Sequence, residues 1–134
     1  MKKYLLTLFV IVLTISACAP EEADASLVGS WELTAYGPVG SLSPAVEDAE
    51  AGITFNEDGT LAGNSGCNGY GGNYEVEDNQ ITFSEIVSTL IFCDEPLGGQ
   101  EETVYQVLAE TATFEIEGNT LTIMNNDRVL VLER

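Results

Sequence analysis

Four times between residues 52 and 132, a short alternating segment runs into an Asn/Asp/Gly turn and out into another alternating segment. The units are GITF-NEDG-TLAG, NYEV-EDN-QITF, TFEI-EGN-TLTI and LTIM-NND-RVLVL. Alternation with period two is the pattern of a strand with one buried face. Asn, Asp and Gly accept the positive φ angles of tight hairpin turns. The last two units share the strand NTLTIM, so the pattern is a run of hairpins, an antiparallel meander, and not a solenoid repeat. SWELTAY, residues 30–36, adds an earlier strand that sets Trp31, Leu33 and Ala35 against Glu32 and Thr34. The sets Ile53/Phe55, Tyr74/Val76, Ile81/Phe83, Phe114/Ile116 and Leu121/Ile123 are expected to face one core.

Two segments interrupt this pattern. Residues 37–52 contain Pro38 and Pro44 with few regular apolar positions, and read as a long loop. Residues 98–111, GGQEETVYQVLAET, place Val104, Val107 and Leu108 on one helical face. Glu101 and Glu102 are assigned to the first turn of that helix, where its dipole favours acids, with Gly98 and Gly99 before it. The expected fold is therefore mainly β. One helix near 99–111 accompanies about eight strands in a small antiparallel, barrel-like meander, where it covers an open end or edge.

The N-terminus has a different character. Lys2 and Lys3 precede an apolar run from Tyr4 to about Ile15, and small residues lead to Cys18. That order describes an export signal, too short for a spanning helix. ISAC, residues 15–18, resembles the bacterial lipobox, which implies a signal peptide over 1–17 and lipidation of Cys18. Two or more acyl chains give stable anchoring where one does not. Residues 18–26 then form a flexible acidic tether, and the domain spans 27–134. Ala19 follows the cysteine; by resemblance to Gram-negative lipoproteins this favours the outer membrane, facing the periplasm.

Removal of the signal leaves two basic residues, Arg128 and Arg134, against 22 acidic ones, a side-chain charge of −20. Such a chain cannot neutralise a run of phosphates, so nucleic acid is excluded as a partner. Anionic lipid is equally unsuitable, which leaves the anchor on Cys18 to hold the chain at the membrane. The acids are dispersed in small groups and read as a solvated surface that favours a soluble monomer.

The chemistry open to the mature chain is narrow. It has no histidine and, without its signal, no lysine, so Ser-His, Cys-His and Ser-Lys pairs are excluded. The glycine-rich loop at 62–74 lacks the Lys-Ser/Thr ending of a phosphate-binding loop. Two cysteines without histidine are a poor zinc set. Asn56, Asp58 and Gly59 have calcium-loop spacing, but Thr54 and Ser65 occupy the first and last ligand positions. No catalytic residue, metal or cofactor is expected.

AGNSGCNGYGGNY, residues 62–74, puts Cys67 among five glycines and three asparagines. With Cys18 assigned to lipid, Cys67 and Cys93 remain as a pair, oxidised outside the cytoplasm. A reactive thiol is the other use of such a cysteine. The bond would close a loop of 26 residues, worth roughly 3.5 kcal/mol on the chain-entropy model.

SGCNGYGGNY followed by VSTLIFC resembles the META domain family, the HslJ-like heat-shock lipoproteins of bacteria. The matching residues are Gly66, Cys67, Asn68, Gly72 and Tyr74, then Ser88, Thr89 and Cys93; GSWELTAY, with Trp31, and NTLTIM with RVLVLE also fit. Gly69 departs from the pattern, since members often carry a larger polar or basic residue there. The resemblance implies a barrel with a helix, similar in outline to lipocalins, and a place in the envelope stress response without an established reaction. The expected function is that of a non-enzymatic envelope lipoprotein. A lipocalin-like carrier of a small apolar ligand and a protein-partner module or inhibitor are the alternatives. An eight-stranded barrel either fills with side chains or holds one small ligand. With about 108 residues, a filled core is expected.

Overall fold

Each hairpin signal becomes a hairpin in the computed structural model, which describes residues 26–134. The strands are β1 (Gly29–Pro38), β2 (Ser43–Pro44), β3 (Gly52–Phe55), β4 (Thr60–Asn64), β5 (Gly69–Glu77), β6 (Gln80–Ser88), β7 (Thr111–Glu117), β8 (Thr120–Asn125) and β9 (Arg128–Glu133), with α1 (Leu97–Val107) between β6 and β7. Positive φ falls on Gly59, Asp78, Gly118 and Asn126, one in each of the four turns. All strand pairs are antiparallel, and β1 pairs with both β3 and β9. That second pairing, Glu32↔Glu133 to Pro38↔Arg128, closes eight strands into a barrel. The two-residue β2 lies beside Ala35 and Tyr36 on the free stretch of β1.

The interior is filled. Trp31, Phe55, Ile81, Leu121, Ile123, Leu130 and Leu132 are among its most buried residues. Phe55 and Tyr74 meet edge to face with ring centroids 5.0 Å apart. The Trp31 indole donates to the Leu27 carbonyl at 2.8 Å, and Arg134 lies over its ring at 4.4 Å. α1 brings Val104, Val107 and Leu108, all buried, against β9, β1 and β8. It covers the barrel end at which β1 and β6 finish. β6 pairs with β7 only from Gln80 to Thr82, so the rest of β6 diverges from β7.

Several expectations need correction. Val76 does not join the core: it is 47% exposed, and Glu75 and Glu77 beside it are exposed too. They lead into the tip of the β5–β6 hairpin, where the cross-strand partner of Val76, Ile81, is buried and Val76 is not. Phe114 and Ile116 are half-buried against the core and not inside it. The long loop begins later than expected, because β1 runs to Pro38, and β2 interrupts it. The helix starts at Leu97, so Gly98 and Gly99 are inside it and its first turn contains no acid. It also stops at Val107, and Glu110 accepts a bond from the Phe83 amide as the chain turns into β7. The signal peptide at 1–17, Cys18 and the tether up to residue 25 lie outside the described residues.

Close approach of strands fixes one glycine and frees another. A Cβ on Gly52 would lie 2.4 Å from the Trp31 carbonyl oxygen, which is backbone and cannot swing away. On Gly69 the nearest atom would be 3.9 Å away. Gly52→Ala is therefore expected to cost about 1–3 kcal/mol, and Gly69→Ala less than about 0.5 kcal/mol. Thermal melts of the two variants check this; equal melting temperatures would contradict the packing described.

Candidate functional site

The covered end of the barrel is built from four loops and one helix. β4 ends at Asn64, and the chain turns through Ser65, Gly66 (φ 99°) and Cys67 to Asn68. The Asn64 side chain accepts from the Gly66 amide at 2.7 Å, and the Ser65 hydroxyl accepts from the Asn68 amide at 2.9 Å. These short side-chain-to-backbone bonds make the turn. A Cβ on Gly66 would meet the Gln100 amide nitrogen at 2.6 Å, so the glycine is required for space as well as for φ.

Asn68, only 2% exposed, is the centre of the arrangement. Its Oδ1 accepts from the Ile91 amide and from the Thr89 hydroxyl, each at 2.7 Å. Its Nδ2 donates to the Ile91 carbonyl at 2.9 Å and to the Glu101 carboxylate at 2.9–3.0 Å. An amide side chain has two donor hydrogens and two acceptor sites. All four are used, and they join the 65–68 turn to the 89–91 segment and to α1. The Ser65 hydroxyl donates to Glu101 Oε2 at 2.6 Å, a short bond of the charge-assisted kind.

Gln100, wholly buried, does the same for a third segment. Its Nε2 donates to the Ser65 carbonyl at 2.7 Å and its Oε1 accepts from the Val46 amide at 2.8 Å. The 39–51 loop is thereby held to α1. Cys67 and Cys93 are joined by a disulfide, with Cα atoms 6.1 Å apart, inside the 4.4–6.8 Å range such a bond requires. Nearby, burial first and the Glu95 carboxylate second hold the Tyr36 phenol above its ordinary pKa.

Of the residues singled out from the sequence, Gly66, Cys67, Asn68, Thr89 and Cys93 come together here. Trp31 and Tyr74 belong to the barrel interior, where the Tyr74 hydroxyl donates to the Asn56 carbonyl at 2.7 Å. Gly72 sits at an irregularity between Gly71 and Asn73 in β5, where a Cβ would meet Ile86 at 2.6 Å. Ser88 is exposed at the end of β6. The space beside Gly69 is open, with the nearest atom to a Cβ there 3.9 Å away, so a larger side chain fits. Ser65, Gln100 and Glu101 escaped sequence reasoning as members of the cluster. Gln100 had a signal: it lies four and seven residues before Val104 and Val107, a polar residue on the apolar stripe.

The cluster is saturated by its own bonds, so chemically it is a clamp. Asn68→Ala removes the side-chain bonds to two segments, 89–91 and α1, and leaves their groups to find water. It is expected to lower stability by about 2–4 kcal/mol, on the order of 10 °C in melting temperature for a domain of this size. Reduction of the Cys67–Cys93 bond should act in the same direction, by about 2–4 kcal/mol. Differential scanning calorimetry of Asn68→Ala and of the reduced protein tests both; unchanged melting would mean that neither braces the fold.

Comparison with known proteins agrees with this geometry. The chain shares its fold with a protein from Burkholderia xenovorans solved by NMR, at 23% identity and a TM-score of 0.64, over 79% of this chain and 81% of that one. An uncharacterized protein from Bacteroides eggerthii is also similar, at 16% identity and a TM-score of 0.51, covering 81% of this chain and 99% of that one. No curated protein sequence matches significantly. The model of the META domain matches residues 25–134, which include the whole barrel and the Asn68 clamp, and the chain belongs to the META domain family.

Proposed function

We propose that this protein is a lipid-anchored module of the bacterial cell envelope, most simply of the outer membrane facing the periplasm, that acts by binding and not by catalysis. The observation that carries this is the saturation of the Asn68 cluster. Its amide, hydroxyl and carboxylate groups are engaged with one another, so the most polar constellation of the domain serves to hold loops in place. What those loops present is a surface, and a fixed surface suits recognition.

Two further features support the proposal. The mature chain has neither histidine nor lysine with which to activate a nucleophile. The barrel interior is occupied by Trp31, Phe55, Ile81 and their neighbours, which favours a partner bound outside over a small ligand carried within. The anchor rests on ISAC behind a charged start and an apolar run. A role in the stress response follows from the family resemblance and belongs to the same proposal.

The anchor is tested by Cys18→Ala followed by cell fractionation. The variant should remain an unprocessed precursor; normal processing with membrane retention would refute lipidation. The absence of catalysis is tested with ester, peptide and glycoside substrates. Turnover at background level is expected, and activity that disappears on replacing a single Asp or Glu would make the protein an enzyme.

A further inference from the structure

Three consecutive large apolar residues stand in solvent at the covered end of the barrel. Leu90 is 95% exposed, Ile91 63% and Phe92 87%. Val87, just before them, is exposed as well. Single exposed apolar residues are ordinary, but a contiguous run of them marks an interaction site.

The run is held in this exposed position. Asn68 binds both the amide and the carbonyl of Ile91. The Thr89 amide donates to the Gly69 carbonyl at 3.1 Å, and the Thr89 hydroxyl donates to Asn68. Cys93 is fixed by its disulfide one residue after Phe92. The segment's backbone therefore cannot turn back over the barrel without breaking these bonds. A tip fixed in this way loses little conformational entropy when a partner covers it.

The surrounding charge selects the partner. The loops at this end carry Glu47, Asp48, Glu50, Asp94, Glu95 and Asp127, against Arg128 as their one basic residue. A second copy of so acidic a chain would be repelled, as would an anionic lipid surface. The tip also lies at the opposite barrel end from Ser26, where the described residues begin. The Ser26 carbonyl is held by Arg134 at 2.8 Å beside the beginning of β1, whereas the tip lies beyond the end of β6, which runs in the same direction as β1. The ten residues of β1 span about 30 Å along the strand.

We propose that Leu90, Ile91 and Phe92 form a docking tip for a cationic amphipathic segment of another envelope protein. The segment's apolar face covers the tip, and its Lys or Arg side chains meet the acidic loops. This identifies a partner chemistry for the binding role proposed above and rests on it. The apolar contact supplies the anchors of the interface, and the charges supply its selectivity and rate of encounter.

The test uses the full chain in nanodiscs of zwitterionic phosphatidylcholine, so that the result does not depend on how the N-terminus is held. The probes are a labelled amphipathic helical peptide of Lys and Leu and its Gln/Leu analogue, followed by fluorescence anisotropy. The Lys/Leu peptide should bind, and the Gln/Leu peptide about tenfold more weakly or worse. Leu90→Ser combined with Phe92→Ser should weaken binding about tenfold or more with the melting curve unchanged, since both side chains are exposed. Equal binding by the double variant would overturn the tip while leaving a binding role intact; failure of the Lys/Leu peptide to bind would overturn the partner chemistry. A Phe92→Trp variant supplies the second measurement. Its emission should shift to the blue with the peptide and not with added phosphatidylcholine/phosphatidylglycerol vesicles, and the reverse would make the tip a lipid-inserting loop.

Discussion

Asn68 devotes its whole side chain to holding two loops and a helix together. Its position allows nothing else: the side chain is buried, and an amide left without partners there would cost about 1–3 kcal/mol for each unsatisfied group. Four bonds remove that cost: three go to Thr89 and Ile91, beyond the end of β6, and one goes to Glu101 of α1. β6 has ended, β7 has not begun, and the backbone between them would otherwise depend on water. The disulfide and Gln100 brace the same junction from either side. Strand pairing is lost toward this end, where β6 diverges from β7, so the covered end is where the fold must satisfy its irregular backbone.

That solution has a consequence for function. Bonds that fix the backbone of Ile91 also fix the outward direction of its neighbours, so the device that completes the fold holds an apolar surface in water. The charge of the chain works with it. On the proposed reading, the acids of the loops at this end disfavour like-charged molecules and anionic membranes, which leaves the apolar residues to a basic partner. Stability, solubility and recognition thus meet at one end of the molecule, while the rest of the barrel is packed core.

Much of the fold was legible because hairpins are local. GITF-NEDG-TLAG contains its two strands, its turn and its register within a dozen residues, and the other three units are equally complete. The pairing of β1 with β9 was less accessible, because it joins residues about 100 apart and leaves no local trace beyond two apolar strands. Helix limits went wrong at Gly98 and Gly99, which have poor helix propensity; the turn forms nonetheless, with Glu95 accepting from the Gly99 amide at 3.2 Å. Val76 misled because alternation tells which side a residue is on but not whether another layer lies there. In the site, Cys67 and Cys93 were visible by counting and Asn68 by its motif. Ser65 and Glu101 were not, because their partners are fixed by a chain path from β4 to α1 that no local pattern encodes.

The central claim is that the Asn68 amide fixes the exposed 89–91 segment, and amide hydrogen exchange at Ile91 tests it most directly. The side chain of Ile91 lies largely in solvent, so only the 2.7 Å bond to Asn68 Oδ1 gives its N–H reason to be protected. Exchange at Ile91 should be slowed to a degree that approaches that of the core strands, and Asn68→Ala should return it to the rate of an unstructured amide while Leu121 and Leu132 stay protected. Exchange at Ile91 in the unaltered protein as fast as in an unfolded peptide would contradict the account.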